Sequence, residues 1–435
     1  MNNASPFNSE NNLATTTSWF RTAAPYIHAH RGATFVIAFD GETIASDGFA
    51  PLLHDIAILN SLGIKLILVY GARPQIEAQC AAQDIEVHYH KGLRISDDAS
   101  MEAAKAVIGR LRLDIESQLS FGLPHTPMAD ARIRCTSGNL VTARPAGILD
   151  GVDLGHTGEV RRVDTVGINQ QLTLGNIVLL PPLGYSLTGE MFNLSAEAIA
   201  TAVAVALKAD KLIFVGPSNQ ALPRELTLTQ ARQHLDEHPS IAASVKACEA
   251  GVQRVHLLDR DQDGALLQEL FSRDGAGTLL SATSFETTRQ ANIDDVAGIL
   301  ELLQPLEANG TLVKRSRELL EREIEHFTVM ERDGTVVACA ALYNYPDNQM
   351  AELACLAVSA GYQSKGRGKQ LLASIEQSAL QAGVKAMYVL TTQTAHWFLE
   401  QGFKAADIAD LPVEKQALYN YQRNSRVFRK PLASA

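Results

Sequence analysis

Short apolar runs alternate with longer stretches of helical period along the first two thirds of the chain. The runs "ATFVIAF" (33–39), "IKLILVYG" (64–71), "NIVLLPPLG" (176–184), "DKLIFVG" (210–216) and "VQRVHLLD" (252–259) are rich in branched aliphatic residues, the signature of strands buried on both faces. Between them, "ASMEAAKAVIGRLRLDIESQL" (99–119) and "NLSAEAIATAVAVALK" (193–208) space apolar residues as amphipathic helices do. The alternation predicts a parallel or mixed sheet covered by helices on both faces. Residues 1–18 are mostly Asn, Ser and Thr with few large apolar groups, so a disordered tail is expected there, with order from Trp19. "SATSFETT" (281–288) breaks the pattern, and "TRQANIDDVAGILELLQPLE" (288–307) opens a new cycle of strand, Asp or Asn cap and helix. The expected organisation is a first domain over 19–280, a linker over 281–287 and a second, smaller α/β domain over 288–435.

Composition narrows the classes. With 435 residues, 46% hydrophobic and 20% charged, the chain suits two folded domains. A formal charge of −10 argues against coating nucleic acid or anionic membrane. Five cysteines (80, 135, 248, 339, 355) lack Cys-x-x-Cys spacing, which predicts neither a disulfide framework nor a metal site and fits a reducing cytoplasm. Apolar runs such as "IATAVAVAL" are too short to span a bilayer.

Candidate chemistry begins in the second domain. "MAELACLAVSA" (350–360) reads as a strand, and "GKQLLASIEQSALQAG" (368–383) puts Leu371, Leu372, Ile375 and Ala379 on one helical face. "GYQSKGRGKQLL" (361–372) therefore joins a strand to a helix N-terminus, where unpaired amides favour an anion and glycines permit close backbone approach. A Walker loop is ruled out by Gln363 five before Gly368 and by Gln370 after Lys369. A dinucleotide fingerprint fails at Leu371. The spacing Gln-x-x-Gly-x-Gly, Gln363 to Gly368, instead resembles the pyrophosphate loop of the GNAT family of N-acetyltransferases. "KAMYVLTT" (385–392) and "TAHWFLEQGF" (394–403) resemble the strand, short helix and Gly-Phe ending that follow in that fold. The resemblance implies acetyl-CoA bound by Cys355, Leu356, Ala357 and Val358 and by Gln363, Ser364, Lys365, Gly366, Arg367 and Gly368.

Acetyl transfer to an amine needs a base, since an α-amino group of pKa roughly 8 is largely protonated at pH 7. It also needs donors for the thioester oxygen, most simply backbone amides near Cys355–Val358. A departing thiolate, of pKa near 8.5, needs little help. Glu352, three residues before Cys355 in an extended strand, is the candidate base, acting directly or through water. Relatives carry a Tyr acid where this chain has Phe398, so that role is empty or moved to Thr391, Tyr419 or Tyr421. Cys355 has no His close in sequence, and a buried strand cysteine is inert, so direct transfer is expected. Arginines in "KRSRELLEREIEHF" (314–327) and "YNYQRNSRVF" (419–428) suit a substrate with more than one carboxylate.

Residues 20–280 resemble the amino-acid kinase fold, in particular acetylglutamate kinases, through "LILVYGARPQI" (66–76), "VTARPAGILDGVDLGHTGEV" (141–160) and "TGEMFNLSAEAIATAVAVALKADKLIFV" (188–215). The chemistry of such kinases is missing. "TFVIAFDGE" lacks the phosphate-binding Lys, "GARP" replaces a run of glycines, and "KLIFVGPSN" lacks the following acidic residue. A kinase-like α/β/α sandwich without kinase chemistry, followed by a GNAT domain, resembles the bacterial N-acetylglutamate synthases. That resemblance implies L-glutamate as acceptor, with Arg315, Arg423 and Ser425 on its carboxylates, and no metal. It also implies a homo-oligomer, commonly a hexamer, inhibited by L-arginine. "RVHLLDRDQDGALLQELFSRDGAGT" (254–278) resembles the arginine site of arginine-sensitive acetylglutamate kinases and supplies His256, Glu269, Gly275 and Gly277, joined by Tyr26 from an N-terminal helix. The rival readings are an active acetylglutamate kinase carrying an acetyltransferase, and a non-enzymatic arginine sensor.

Overall fold

Two units, Met1–Thr283 and Ser284–Ala435, make up the computed structural model. It describes residues 10–432 apart from 123–125, 127, 129–130, 132, 219–221, 236–238, 273, 282–285, 333, 364–365, 418 and 420–424.

In the first unit the five apolar runs become adjacent central strands of an eight-stranded sheet: Arg254–Asp259, Lys211–Gly216, Thr34–Phe39, Lys65–Tyr70 and Ile177–Leu180, in that spatial order and all parallel. Their side chains are almost wholly buried, one face in each of two large clusters, which is why they read as continuous apolar runs rather than as alternation. Thr278–Ser281 runs antiparallel to Arg254–Asp259 and pairs on its other side with the parallel edge strand Glu225–Thr227. A smaller four-stranded sheet, Met191–Asn193, Leu183–Tyr185, Val141–Pro145 and Gly158–Val163, carries the middle segment. The tail corrects the expectation, because the first helix runs Glu10–His30 and residues 10–18 are helical. Ala23, Tyr26 and Ile27 anchor this helix in the core, and once nucleated a helix extends at little cost even through polar residues.

The second unit is a seven-stranded sheet in the order Thr287–Gln290, Phe327–Arg332, Thr335–Tyr345, Met350–Val358, Ala386–Thr391, Arg426–Pro431, Lys404–Ala406. All neighbours are antiparallel except Met350–Val358 with Ala386–Thr391, which run parallel. The helix Arg367–Gln381 crosses between these two strands and buries Leu371, Leu372, Ile375 and Ala379 against one face, so that Leu371→Ala would cost about 2–5 kcal/mol. The helix Val296–Ala308 covers the other face with Ile299 and Leu303. Among the described residues no helix is long and apolar enough to cross a membrane.

Candidate active site

The parallel pair opens where it is needed. Met350, Ala351 and Glu352 pair with Ala386, Met387 and Tyr388, and the ladder stops there while the first strand continues to Val358. Among the described residues, 353–358 thus leave one backbone edge without a strand partner, a row of amides and carbonyls able to hydrogen-bond an extended, amide-bearing chain. On the other edge the register against Thr335–Tyr345 slips between Cys339 and Ala341, whose partners are Ala357 and Ala354. Two residues, Cys355 and Leu356, therefore stand opposite Ala340: a β-bulge, with Cys355 in the left-handed region at φ 53°. Bulges re-aim the groups beside them, and this one turns the backbone where acyl-oxygen donors are expected. Nothing in "CLAV" signals a bulge to a sequence reading.

The strand's far end leads through the loop to the helix Arg367–Gln381. Gly366 precedes that helix at φ 77°, and no side chain caps the helix among the described residues, leaving its first amides to an anion. A Cβ on Gly366 would meet nothing within 4 Å, whereas one on Gly368 would lie 3.3 Å from Trp397 Cζ2. Gly366 serves the backbone turn and Gly368 serves packing. Gln363 Nε2 donates to Val358 O at 3.1 Å. Arg367 turns inward: its guanidinium pairs with Glu286, donates to Tyr362 O at 3.2 Å and stacks 4.7 Å from the Tyr362 ring centroid. It can meet a phosphate only through its amide. Ser364 and Lys365 lie outside the described residues.

Glu352 is 7% exposed and stands beside Tyr343 and Tyr388 on the neighbouring strands. The Tyr388 hydroxyl is buried beside Glu352 and Tyr345; burial, with the Glu352 charge next, holds its pKa far up. Lys415, from the short helix Val413–Ala417, places Nζ 2.7 Å from Glu352 Oε2. Neither Lys415 nor Tyr388 was legible as a site residue: one belongs to no motif, and the other looks like strand core.

Cys355 lies at the centre of the remaining groups. Burial drives its thiol up to about 11, against the opposing charge of Arg315 and with that of Glu352, so it is a thiol and not a nucleophilic thiolate near neutral pH. Arg315 lies just before the N-cap Ser316 of the helix Arg317–Glu323. Its buried Nε has no partner among the described residues. Tyr343 Oη, beside it, donates to Glu323 Oε2 at 2.6 Å.

Thr391 ends the diverging strand, three residues beyond Tyr388 as Cys355 is three beyond Glu352. Its hydroxyl accepts from Thr394 N at 3.1 Å and lies 2.9 Å from Thr394 Oγ1, closing a turn. Ser425 adjoins Arg426, the strand partner of Thr391, and its carbonyl accepts from Tyr419 Oη at 2.6 Å. Phe398 is core, packed on Trp397 and Phe403. Arg423 and Tyr421 lie outside the described residues.

In the first unit a second constellation is buried under the strand Arg254–Asp259 and the helix Ala265–Phe271. Glu269 Oε1 is 2.6 Å from His256 Nδ1, and Oε2 accepts from the amides of Ala276 at 2.6 Å and Gly277 at 2.9 Å. Burial alone would raise this carboxyl, but the His256 contact and the two amides outweigh it and bring it down to about 2. Burial and Lys211, whose Nζ is 3.5 Å from Nε2, lower His256, so a neutral ring donates from Nδ1 to an ionised Glu269. A Cβ on Gly275 would come within 2.5 Å of Glu269 Oε2, and one on Gly277 within 2.2 Å of Leu257 O. Tyr26 packs on the adjoining core, and a cleft of about 610 Å³ lined by His30, Phe35, Lys211 and Arg254 opens nearby.

The positions where a kinase would cradle phosphate are filled by protein. Asp40 caps Thr43 and accepts from Arg260 Nη1 at 2.7 Å, while Gln75 Nε2 donates to Gly41 O at 2.6 Å. A Cβ on Gly41 would strike Pro74 and Gln75. Among the described residues no cluster could hold a metal ion.

Known proteins resemble the chain along nearly all of its length. Residues 33–219 match the amino acid kinase family and residues 296–403 the acetyltransferase (GNAT) family. The amino-acid acetyltransferases of Ectopseudomonas mendocina and Azotobacter vinelandii are 51% and 50% identical, over 95% of this chain and 99% of each relative. A crystal structure of N-acetylglutamate synthase from Neisseria gonorrhoeae complexed with coenzyme A and L-arginine is 38% identical, covers 96% of this chain and 99% of its own, and superposes with a TM-score of 0.89. The same protein complexed with coenzyme A and N-acetyl-glutamate is 37% identical over the same shares, with a TM-score of 0.61.

Proposed function

The chain belongs to the amino-acid acetyltransferases, and from that membership we propose that it transfers acetyl from acetyl-CoA to the α-amine of L-glutamate, giving N-acetylglutamate and coenzyme A. The observation that carries this reading is the end-to-end likeness to a synthase crystallised with coenzyme A and L-arginine and, separately, with coenzyme A and N-acetyl-glutamate. The site supports it. Acetyl-CoA lies along the open edge of Cys355, Leu356, Ala357 and Val358, with its pyrophosphate at the loop 363–368 and the amides that begin the helix Arg367–Gln381. Backbone amides at the bulge hold the thioester oxygen. Glu352 takes the proton from the glutamate ammonium, and the neutral amine attacks the acetyl carbon directly, Cys355 being held as a thiol. Arg315, Arg423 and Ser425 receive the two carboxylates; the unpartnered Arg315 Nε favours such a ligand. Thr391, whose hydroxyl carries one proton, is a candidate acid.

The first unit regulates. L-arginine binds near Tyr26, His256, Glu269, Gly275 and Gly277, its guanidinium on the ionised Glu269, and inhibits. Exposed Trp19 and Phe20 on the first helix fit a homo-oligomer, read as a hexamer. Five unpaired cysteines fit work in a reducing cytoplasm. The closed Asp40–Arg260 and Gly41–Gln75 contacts disfavour phosphoryl transfer.

The test is coenzyme A release with each standard amino acid as acceptor, repeated with L-arginine added. Turnover confined to glutamate and suppressed by arginine is expected. Turnover with another amino acid alone, or none, would defeat the reading.

A further inference from the structure

We propose that Lys415 is itself an acceptor: when no amino acid fills the site, its Nζ is acetylated from acetyl-CoA by the machinery that serves the free amine. The proposal rests on the reading of Glu352 as the group that deprotonates the acceptor. Any amine that Glu352 is to deprotonate must come within hydrogen-bond reach of its carboxylate. An amine of the chain already does so, Lys415 Nζ at 2.7 Å from Oε2.

The contact is built rather than incidental. Leu411, four residues before Lys415, is buried in a cluster with Met350, Tyr388 and Val427, and Tyr419, four residues after it, packs against the same cluster. Gln416 Nε2 ties the turn to Leu411 O at 2.7 Å and Ala409 O at 3.1 Å. Tyr419 Oη closes the segment onto Ser425 O at 2.6 Å. The side chain is 22% exposed and its partner 9%, unlike surface pairs such as Lys105–Glu102 or Lys91–Asp150. A lysine so held next to the open strand edge presents the reacting group of a substrate, an alkylammonium, to the carboxylate meant for one.

The step balances. Glu352 removes one proton from the Lys415 ammonium, and the nitrogen lone pair forms an N–C bond to the thioester carbonyl carbon. The C–S bond then breaks with its electron pair on sulfur. Of the two protons the nitrogen loses, one ends on the coenzyme A thiolate and one in solvent. The product amide carries no charge, so acetylation also removes the ammonium that occupies Glu352.

The full chain is incubated with isotope-labelled acetyl-CoA, with and without L-glutamate. Acetyl occupancy at every lysine is followed by peptide mass spectrometry while glutamate acetylation is measured in parallel. Lys415 should outpace every other lysine by about tenfold or more, and glutamate should suppress it. Glu352→Gln should slow it by about a hundredfold or more, and Lys415→Arg should leave that peptide unlabelled. If glutamate is acetylated while Lys415 gains no more label than other lysines, the inference is overturned and the glutamate reading stands. Suppression absent at saturating glutamate also overturns it, because the amine then reacts elsewhere. Label on Lys415 in a protein that does not acetylate glutamate supports self-transfer and defeats the glutamate reading.

Discussion

Replacing Gly366 separates two demands on the anion cradle. The residue sits at φ 77° and ψ 3° before the helix Arg367–Gln381, and a Cβ there meets nothing within 4 Å among the described residues. Alanine would therefore clash with no neighbour, and its cost is that of left-handed backbone, about 1–2 kcal/mol. Asparagine tolerates that conformation, so Gly366→Asn should lose less than about 1 kcal/mol, a melting shift of at most roughly 2–4 °C for a unit of this size. Its side chain nonetheless fills open space at the end of the helix where a pyrophosphate would approach the amides. The expected result for Gly366→Asn is a KM for acetyl-CoA raised about tenfold or more, a loss of about 1.4 kcal/mol in binding, with the KM for glutamate and the kcat at saturating acetyl-CoA nearly unchanged. Gly366→Ala should melt lower and show a smaller KM effect. Steady-state thiol release with each substrate varied in turn, beside calorimetry on the same preparations, measures all of this. A wild-type KM for acetyl-CoA in a folded Gly366→Asn variant would refute the cradle.

Arg315→Ala should cost about 2–5 kcal/mol of glutamate binding if its guanidinium meets a buried carboxylate, and Lys should rescue it poorly; an unchanged glutamate KM would make Arg315 structural. Glu269→Gln should leave acetyl transfer nearly intact and weaken arginine inhibition at least tenfold, about 1.4 kcal/mol of coupling, so an inhibition curve matching the parent's would move the arginine site elsewhere. His30 is brought down to about 4 by burial, with the Lys211 charge second. Because the unfolded imidazole binds its proton near 6.5, the contribution of neutral His30 is whole above about 6.5 and drains as pH falls towards 4. In urea unfolding, His30→Gln should gain stability relative to the parent over that window, and parallel stability curves would disprove the assignment.

The central strands of the first unit were legible because burial on both faces leaves an unbroken apolar run, and Asp97 and Ser195 cap the helices that follow as their residue types suggest. The loop from Gln363 to Gly368 was legible because left-handed backbone before a helix calls for glycine. The second unit's antiparallel strands were harder. Arg426–Pro431 carries charges at Arg426, Arg429 and Lys430 and reads as a polar tail until its pairing is known. The helical tail over residues 10–18 was hidden because its stability comes from anchoring further along, at Ala23 and Ile27. At the site, residue type gave Glu352 and Arg367 their expected chemistry. The contacts that qualify it, Lys415 on Glu352 and Glu286 on Arg367, join residues 63 and 81 positions apart, which no local pattern encodes.

The protein contacts at the position where a kinase would cradle phosphate bar a short route from the first unit to phosphoryl transfer. Arg260 neutralises Asp40, and Gln75 sits on Gly41 with Pro74 against it. A lysine regained at the end of the first strand would meet a guanidinium already in place, and like charges repel. Opening the glycine loop alone would strand Asp40 and Arg260 around an empty space. Each such change costs stability before it creates any phosphate binding, so no single change turns the unit to phosphoryl transfer. Any relative of this chain that transfers phosphate should therefore differ together at positions 40, 74, 75 and 260.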